Sequence, residues 1–171
     1  RLLDWWEHQL VDCFCGVAHH PVFVALRETI DQFHIPIDPF RNLLVAFRQD
    51  RRKVRYDTFE ELLGYCRHSA NPVGRIVLHL GGCHHEANLL LSDSICTGLQ
   101  LANFWQDIRT DYRRGRIYLP LESCRRFGYG EADFERGECN DSFRELMKFE
   151  VDRAEQYLLA GQPLVEQVST E

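Results

Sequence analysis

The sequence of 171 residues lacks the features that mark a secreted or membrane-spanning protein. No signal peptide is visible, and no apolar run approaches the roughly 18 residues that a membrane span needs. No segment alternates with the period of two that is typical of strands, and there is no repeat or low-complexity run. The seven cysteines are odd in number and form no Cys-x-x-Cys pair. We therefore expect an all-α protein of a reducing, cytoplasmic compartment.

The composition is that of a mildly acidic globular chain. Hydrophobic residues make up 44% of the sequence and aromatic residues 12%, which excludes a disordered chain and suits one domain with a sizeable core. The net charge of −6 argues against general nucleic-acid binding, which needs a basic surface. Arg1 is not a natural start. We expect residues 1–171 to form a single all-helical domain that is truncated at the N-terminus and also at the C-terminus.

Helical periodicity runs through most of the chain, and capping residues and prolines divide it. Thr58 begins a capping box, Thr-Phe-Glu-Glu, and Asn71-Pro72 is expected to kink or break the helix that follows it. Residues 128–140 are rich in glycine and acids, which favours a loop, and Ser142 begins a second capping box. The predicted helices are about 2–17, 20–35, 38–50, 58–80 with the break at Pro72, 92–112, 122–127 and 142–160.

A polar stripe on the helix predicted over residues 92–112 is the most informative feature. At about 100° per residue, Gln100, Asn103, Asp107 and Asp111 fall within an arc of about 80°. Apolar residues flank this stripe on both sides. We therefore expect it to face a cavity, where two carboxylates need a positive partner.

The two aspartates have the spacing of a metal-binding pair. Asp107 and Asp111 lie at i and i+4, which places their carboxylates roughly 6 Å apart. Such a pair suits Mg²⁺, which prefers oxygen ligands and bridges to substrate phosphates. Arg113 and Arg116 follow and supply cations for a diphosphate leaving group. A solvated acidic face paired with arginines stays open as the alternative, because Asp-x-x-x-Asp alone is a weak signal.

Two long motifs resemble signatures of the squalene and phytoene synthases. Residues 100–120, QLANFWQDIRTDYRRGRIYLP, resemble the second aspartate-rich motif of that family. Residues 65–74, YCRHSANPVG, resemble the other signature, Y-C-x-Y-V-A-G-x-V-G. The likeness spans most of residues 40–128, with the motifs in the right order and spacing. It implies an all-helical isoprenoid-synthase fold in which two facing aspartate-rich motifs bind Mg²⁺ and a prenyl diphosphate around a central cavity.

The resemblance also assigns roles to residues of this chain. It implies that Asp107 and Asp111 are the metal ligands of the second motif and that Gln100 and Asn103 line the site beside them. Tyr65, Arg113 and Arg116 are further candidates for contact with the substrate. Phe104 is the aromatic residue nearest the stripe, and we expect it to provide a cation–π contact to a carbocation.

Residues 68–71 depart from the family pattern. His68 stands where the family usually has tyrosine, and Val-Ala-Gly is replaced by Ser69-Ala70-Asn71. This polar version is similar to the bacterial hydroxysqualene synthase subgroup, which is expected to ionise presqualene diphosphate and quench the rearranged cation with water. We therefore regard His68 and Asn71 as candidate catalytic residues, His68 as water-positioner or general base. A satisfied core histidine is the alternative.

The first aspartate motif of the family is absent from these residues. A chain with half of the metal ligands should bind Mg²⁺-diphosphate weakly, so we expect this 171-residue chain to be inactive alone. Two alternatives to hydroxysqualene formation stay open. One is head-to-head prenyl coupling by a presqualene diphosphate, squalene or phytoene synthase, with farnesyl diphosphate as a candidate substrate. The other is a non-catalytic helical module, which predicts solvent-facing Asp107 and Asp111. Because the expected substrate and product are hydrophobic, peripheral contact with the inner membrane is also compatible with the sequence.

Overall fold

The structure is a computed structural model that describes residues 1–168, and helices without any strand make up its secondary structure over that range. The helices are α1 (Leu2–Phe14), α2 (Pro21–Phe33), α3 (Asp38–Gln49), α4 (Phe59–Ser69), α5 (Asn71–Leu80), α6 (Glu86–Gln106), α7 (Ile108–Arg113), α8 (Leu121–Phe127), α9 (Glu131–Arg136), α10 (Asp141–Gly161) and α11 (Leu164–Val168). The all-α prediction is confirmed. None of the described helices is both long and apolar enough to cross a membrane.

Most of the predicted helix starts are found within about one residue, but the start predicted at residue 92 is wrong, because α6 begins at Glu86. The hydroxyl of Thr58 accepts a hydrogen bond from the Glu61 amide at 3.2 Å, as the capping box predicts. The Glu61 carboxylate reaches the amide of Asp57 instead of that of Thr58, at 2.9 Å. The break at Asn71-Pro72 is also present, because α4 ends at Ser69 and α5 begins at Asn71.

Two predictions near the C-terminal helix are wrong. The segment read as a loop contains α9, which begins after Gly130, where the amide of Gly130 donates to the Asp133 carboxylate at 2.8 Å. The N-cap of α10 is Asn140 and not Ser142, since the Asn140 side chain accepts from the Phe143 amide at 2.9 Å. In both cases a short polar side chain caps the helix where the composition resembled a loop.

The long helix α6 lies at the centre, and glycines let its neighbours approach closely. A Cβ at Gly98 of α6 would lie 2.7 Å from the side chain of Leu158 on α10. A Cβ at Gly161 would lie 2.7 Å from the Leu91 carbonyl oxygen. Helix α5 packs on another part of α6, where the space beside Gly74 is filled by Ser92 and Cys96. The fold therefore holds the second-motif segment on a helix that is braced on two sides.

Candidate functional site

The helix that was predicted to run unbroken to residue 112 is interrupted at Asp107. This residue ends α6 with φ −99° and ψ 9°, and α7 begins at the next residue. Backbone hydrogen bonds still cross the break, because the Asp107 amide donates to the Asn103 carbonyl at 3.1 Å and the Asp111 amide donates to the Asp107 carbonyl at 2.8 Å. The two aspartates therefore keep the one-turn separation that a shared cation needs.

The polar stripe lies on an open surface of the described chain. Asn103 and Asp107 are exposed, whereas Gln100 and Asp111 are half-buried. Among the cavities within residues 1–168, five of about 260 to 430 Å³ are lined by residues outside the stripe. The expectation that the stripe faces a cavity therefore stays a prediction.

The electrostatics of the aspartate pair favour a bound cation. Burial raises the pKa of Asp111 above the ordinary value for a carboxyl group, and the charge of Asp107 raises it further, while Arg114 and Arg116 act in the opposite direction. A cation between the two carboxylates would offset the repulsion between their negative charges. Carboxylate oxygens are ligands that Mg²⁺ accepts. Within residues 1–168, however, no group of three His, Cys, Asp or Glu side chains is placed to hold a metal, so the pair fits Mg²⁺ as part of a ligand set.

Asp50 connects two of the predicted substrate-binding residues. The hydroxyl of Tyr65 on α4 donates to Asp50 Oδ1 at 2.8 Å. Arg116 donates through Nη1 to the same oxygen at 3.2 Å and through Nη2 to the Asp50 carbonyl at 2.7 Å. Its Nη1 also donates to the hydroxyl of Tyr118 at 3.1 Å. Tyr65 and Arg116 thus lie together, and each is held in place by a carboxylate at the end of α3.

An aromatic stack covers this connection. The rings of Phe104 and Tyr118 lie 3.9 Å apart and nearly parallel, and Tyr65 and Tyr56 lie beside them with centroids 6.0 and 5.8 Å from the Tyr118 ring. Phe104 is buried, and one face of its ring is occupied by Tyr118. Burial, followed by the hydrogen bond to Asp50, raises the pKa of Tyr65 far above its ordinary value, so the Tyr65 hydroxyl keeps its proton and donates it.

The sequence reasoning missed Asp50 and Tyr118. Tyr118 lies inside the quoted motif. The apolar residues around it, Ile-Tyr-Leu-Pro, were the sequence feature that could have indicated its burial near the site. Asp50 carried one local signal, a single acid at the end of an apolar helix and directly before a basic run. Its contact with Arg116 depends on a pairing of extended segments, in which the Ile117 amide donates to the Val54 carbonyl at 3.0 Å.

The two candidate catalytic residues have different surroundings. His68 is half-buried, and its Nδ1 lies 2.8 Å from the Gly64 carbonyl oxygen. Because a carbonyl can only accept, the neutral imidazole carries its hydrogen on Nδ1 and has its lone pair on Nε2. Asn71 is buried between α5 and α6, where its Oδ1 accepts from the Thr97 hydroxyl at 3.0 Å. That bond holds Asn71 Oδ1 in the packing of α5 on α6, while the residue also lines a cavity of about 330 Å³.

Arg113 is separated from the aspartates. Its exposed side chain lines a cavity of about 430 Å³, and neither Asp107 nor Asp111 lines that cavity. On a helix, Arg113 and Asp111 are about 160° apart. The structure therefore brings Tyr65, Phe104 and Arg116 together, leaves Asp107 and Asp111 as a pair on the surface of α6 and α7, and places Arg113 on the other face of α7.

Comparison with known proteins relates this geometry to one enzyme family. The family model described as squalene/phytoene synthase matches residues 1–171. The chain is 40% identical over 167 residues to 15-cis-phytoene synthase of Synechocystis sp., which involves 91% of this chain and 50% of that protein. It is 38% identical over 169 residues to phytoene synthase of Arthrospira platensis, with 91% and 54% covered. The chain thus spans about half the length of these curated relatives.

Crystal structures show the same relationship in three dimensions. Squalene synthase HpnC of Alicyclobacillus acidocaldarius superposes with a TM-score of 0.92 at 40% identity, over 98% of this chain and 67% of that chain. A dehydrosqualene synthase in complex with ligand superposes with a TM-score of 0.89 at 27% identity, over 96% of this chain and 59% of that chain. The predicted isoprenoid-synthase fold is confirmed by these similarities.

Proposed function

This chain belongs to the squalene/phytoene synthase family, and on that premise we propose that its protein ionises a prenyl diphosphate with Mg²⁺ and captures the resulting cation with water. The proposed substrate is presqualene diphosphate, which with one water gives hydroxysqualene, diphosphate and a proton. The observation that carries the proposal is the pair Asp107 and Asp111, one turn apart, in which burial and mutual repulsion raise the pKa of Asp111.

Asp107 and Asp111 would hold Mg²⁺, which neutralises the diphosphate and makes it a better leaving group. Arg114 and Arg116 are the cations that face Asp111 electrostatically. Arg116 is anchored by Asp50, so it offers a fixed donor to a diphosphate bound at the aspartates.

The water-capture step is assigned to His68. The lone pair on Nε2 is available to accept a proton from water, because Nδ1 is held by the Gly64 carbonyl. Tyr65 lies on the same helix, and Asp50 keeps its hydroxyl oriented. The proposed role of Asn71 is to hold the start of α5 against Thr97, and so to position the segment after His68.

Product analysis of the full-length protein tests the proposal. With Mg²⁺ and presqualene diphosphate we expect hydroxysqualene, and with farnesyl diphosphate alone no product. Asp107→Asn and Asp111→Asn should each abolish Mg²⁺-dependent binding of inorganic diphosphate measured by calorimetry, whereas Glu131→Gln, a carboxylate on α9, should leave it unchanged. Undiminished binding in both aspartate variants would refute the metal assignment.

The role of His68 needs a separate variant. His68→Phe should shift the product from the alcohol to hydrocarbons, because the cation still forms while water is no longer positioned. His68→Gln, which keeps a polar group at the site, should retain part of the alcohol. An unchanged yield of alcohol in His68→Phe would remove His68 from the mechanism and leave the metal assignment intact.

Head-to-head prenyl coupling is the second candidate, and the names of the relatives favour it. The two curated relatives described above, from Synechocystis sp. and Arthrospira platensis, are phytoene synthases by name. A coupling enzyme would consume a prenyl diphosphate such as farnesyl diphosphate in pairs, so the incubation with farnesyl diphosphate separates the two candidates. The prediction that the 171-residue chain is inactive alone is tested in the same assay, and turnover by this chain would contradict it.

A further inference from the structure

A cavity behind α7 has no part in the proposed reaction. It has a volume of about 430 Å³, and its walls come from the end of α6, α7, α9 and the start of α10. This volume lies within the range of about 300 to 1,000 Å³ that is common for small-molecule sites. Arg109 and Arg113 of α7 line it, and both are about 160° around the helix from Asp111. The cavity is therefore separate from the proposed metal site.

The floor of this cavity is apolar and aromatic. Trp105, Ile108, Phe134 and Phe143 contribute to its lining. Trp105 is fixed there, because its indole N–H donates to the Glu150 carbonyl at 3.1 Å. Such a floor suits a hydrocarbon chain, since burying apolar surface is favourable by about 25 cal/mol per Å².

Two arginines on the α7 wall have no partner of their own. Among residues 1–168, Arg109 and Arg113 take part in no ion pair and no hydrogen bond of their side chains. Arg136 on the opposite wall differs, because it pairs with Glu138 at 3.1 Å and with Asp133 at 2.7 Å. Among the charged side chains that line the cavity, three are arginines and two, Glu135 and Glu138, are acids, so the lining carries a net charge of +1.

We propose that this cavity binds an amphiphilic anion, with its hydrocarbon chain on the aromatic floor and its head group between Arg109 and Arg113. The two guanidinium groups are one helical turn apart and can each donate two hydrogen bonds to a phosphate or a carboxylate. Arg109 is also directed across the cavity, because a Cβ at Gly137 would lie 4.0 Å from its Cζ. The head group is a phosphate if the ligand is a prenyl phosphate, and a carboxylate if it is a fatty acid.

Cys139 provides a local probe of occupancy. Its exposed thiol lines the cavity, whereas Cys15 is exposed at the end of α1 and does not line it. The experiment measures the alkylation rates of both cysteines by peptide mass spectrometry in the full-length protein, with farnesyl monophosphate, dodecanoate or dodecanol added below their aggregation concentrations. We expect an anionic amphiphile to protect Cys139 and to leave the rate at Cys15 unchanged.

Variants then identify the head-group contacts. Losing a charge-assisted hydrogen bond typically weakens binding by about tenfold or more, so Arg109→Ala and Arg113→Ala should each raise the half-protecting concentration by about that factor. Arg41→Ala is the matched control, because it removes the same charge from an exposed position on α3 that does not line the cavity. We expect it to leave the half-protecting concentration about unchanged.

Each outcome of these experiments either supports or overturns the proposed site. Protection by farnesyl monophosphate or by dodecanoate, lost in Arg109→Ala and Arg113→Ala, supports the proposal, and the more potent of the two identifies the source of the head group. Equal protection by dodecanol would overturn the head-group assignment. Absence of Cys139 protection by both anions would overturn the site itself.

Discussion

Removing the Asp50 carboxylate tests the connection between α3, α4 and the segment after α7. Asp50→Ala leaves the Tyr65 hydroxyl, on a side chain that is 6% exposed, without its acceptor. A buried hydroxyl without a partner costs about 1–3 kcal/mol. The ion pair with Arg116 adds about 0.2–1 kcal/mol, because both side chains are partly accessible to water and Arg116 keeps the Asp50 carbonyl and Tyr118 as acceptors.

One effect opposes this loss. Asp50 caps the C-terminus of α3, where its negative charge is repelled by the negative end of the helix dipole. Removal of this charge should raise the free energy of unfolding by about 0.3–1 kcal/mol. We therefore expect Asp50→Ala to lower the free energy of unfolding by about 2 kcal/mol, which for a chain of this size corresponds to a fall of roughly 4–8 °C in Tm. Urea denaturation followed by circular dichroism measures it.

Two further variants locate the cause. Asp50→Asn keeps an oxygen that can accept from Tyr65, so it should cost at most about half as much as Asp50→Ala. Tyr65→Phe combined with Asp50→Ala should show a coupling energy of about 1–2 kcal/mol in a double-mutant cycle. Additive effects of the two substitutions, or an Asp50→Ala variant within about 0.5 kcal/mol of the parent at an unchanged m value, would refute the reasoning.

Three other expectations concern packing and ionisation. Gly161→Ala should destabilise the protein by about 1–3 kcal/mol in urea denaturation, because the new Cβ would meet the Leu91 carbonyl. Gly64→Ala, with no atom within 4 Å of its Cβ, should instead stabilise it by up to about 1 kcal/mol, and a Gly161→Ala variant as stable as Gly64→Ala would contradict the close approach. Burial raises the pKa of Glu150, so the stability that its carboxyl group contributes is complete below the ordinary value of 4.5 and is lost as pH rises. The stability of Glu150→Gln relative to the parent should therefore increase from pH 4 to pH 7, and a relative stability that fell over that interval would be inconsistent with this sign. Burial also raises the pKa of Tyr65, so stability should decline above pH 10 by up to about 1.4 kcal/mol per pH unit for each such tyrosine, and Tyr65→Phe should flatten that decline.

Local patterns predicted the elements well and their ends less well. The Thr58 cap and the break at Asn71-Pro72 rest on interactions within four residues, so the sequence contains them in full. α9 was missed because its cap is a side-chain contact from Asp133 to the Gly130 amide in a segment whose composition resembles a loop. The interruption at Asp107 has no proline or glycine to announce it, and we have no local reason for it.

By itself, the sequence determined the all-helical class, the one-turn spacing of Asp107 and Asp111, and the family resemblance that the comparisons confirmed. Only the tertiary structure decided which arginine has which surroundings. Arg113 and Arg116 are three residues apart in the chain, yet one lines the cavity behind α7 and the other is bound to Asp50. The physical reason is that the helical repeat relates residues about one turn apart, whereas the contact between residues 50 and 116 depends on how α3, α4 and the connecting segments 54–57 and 117–120 pack together.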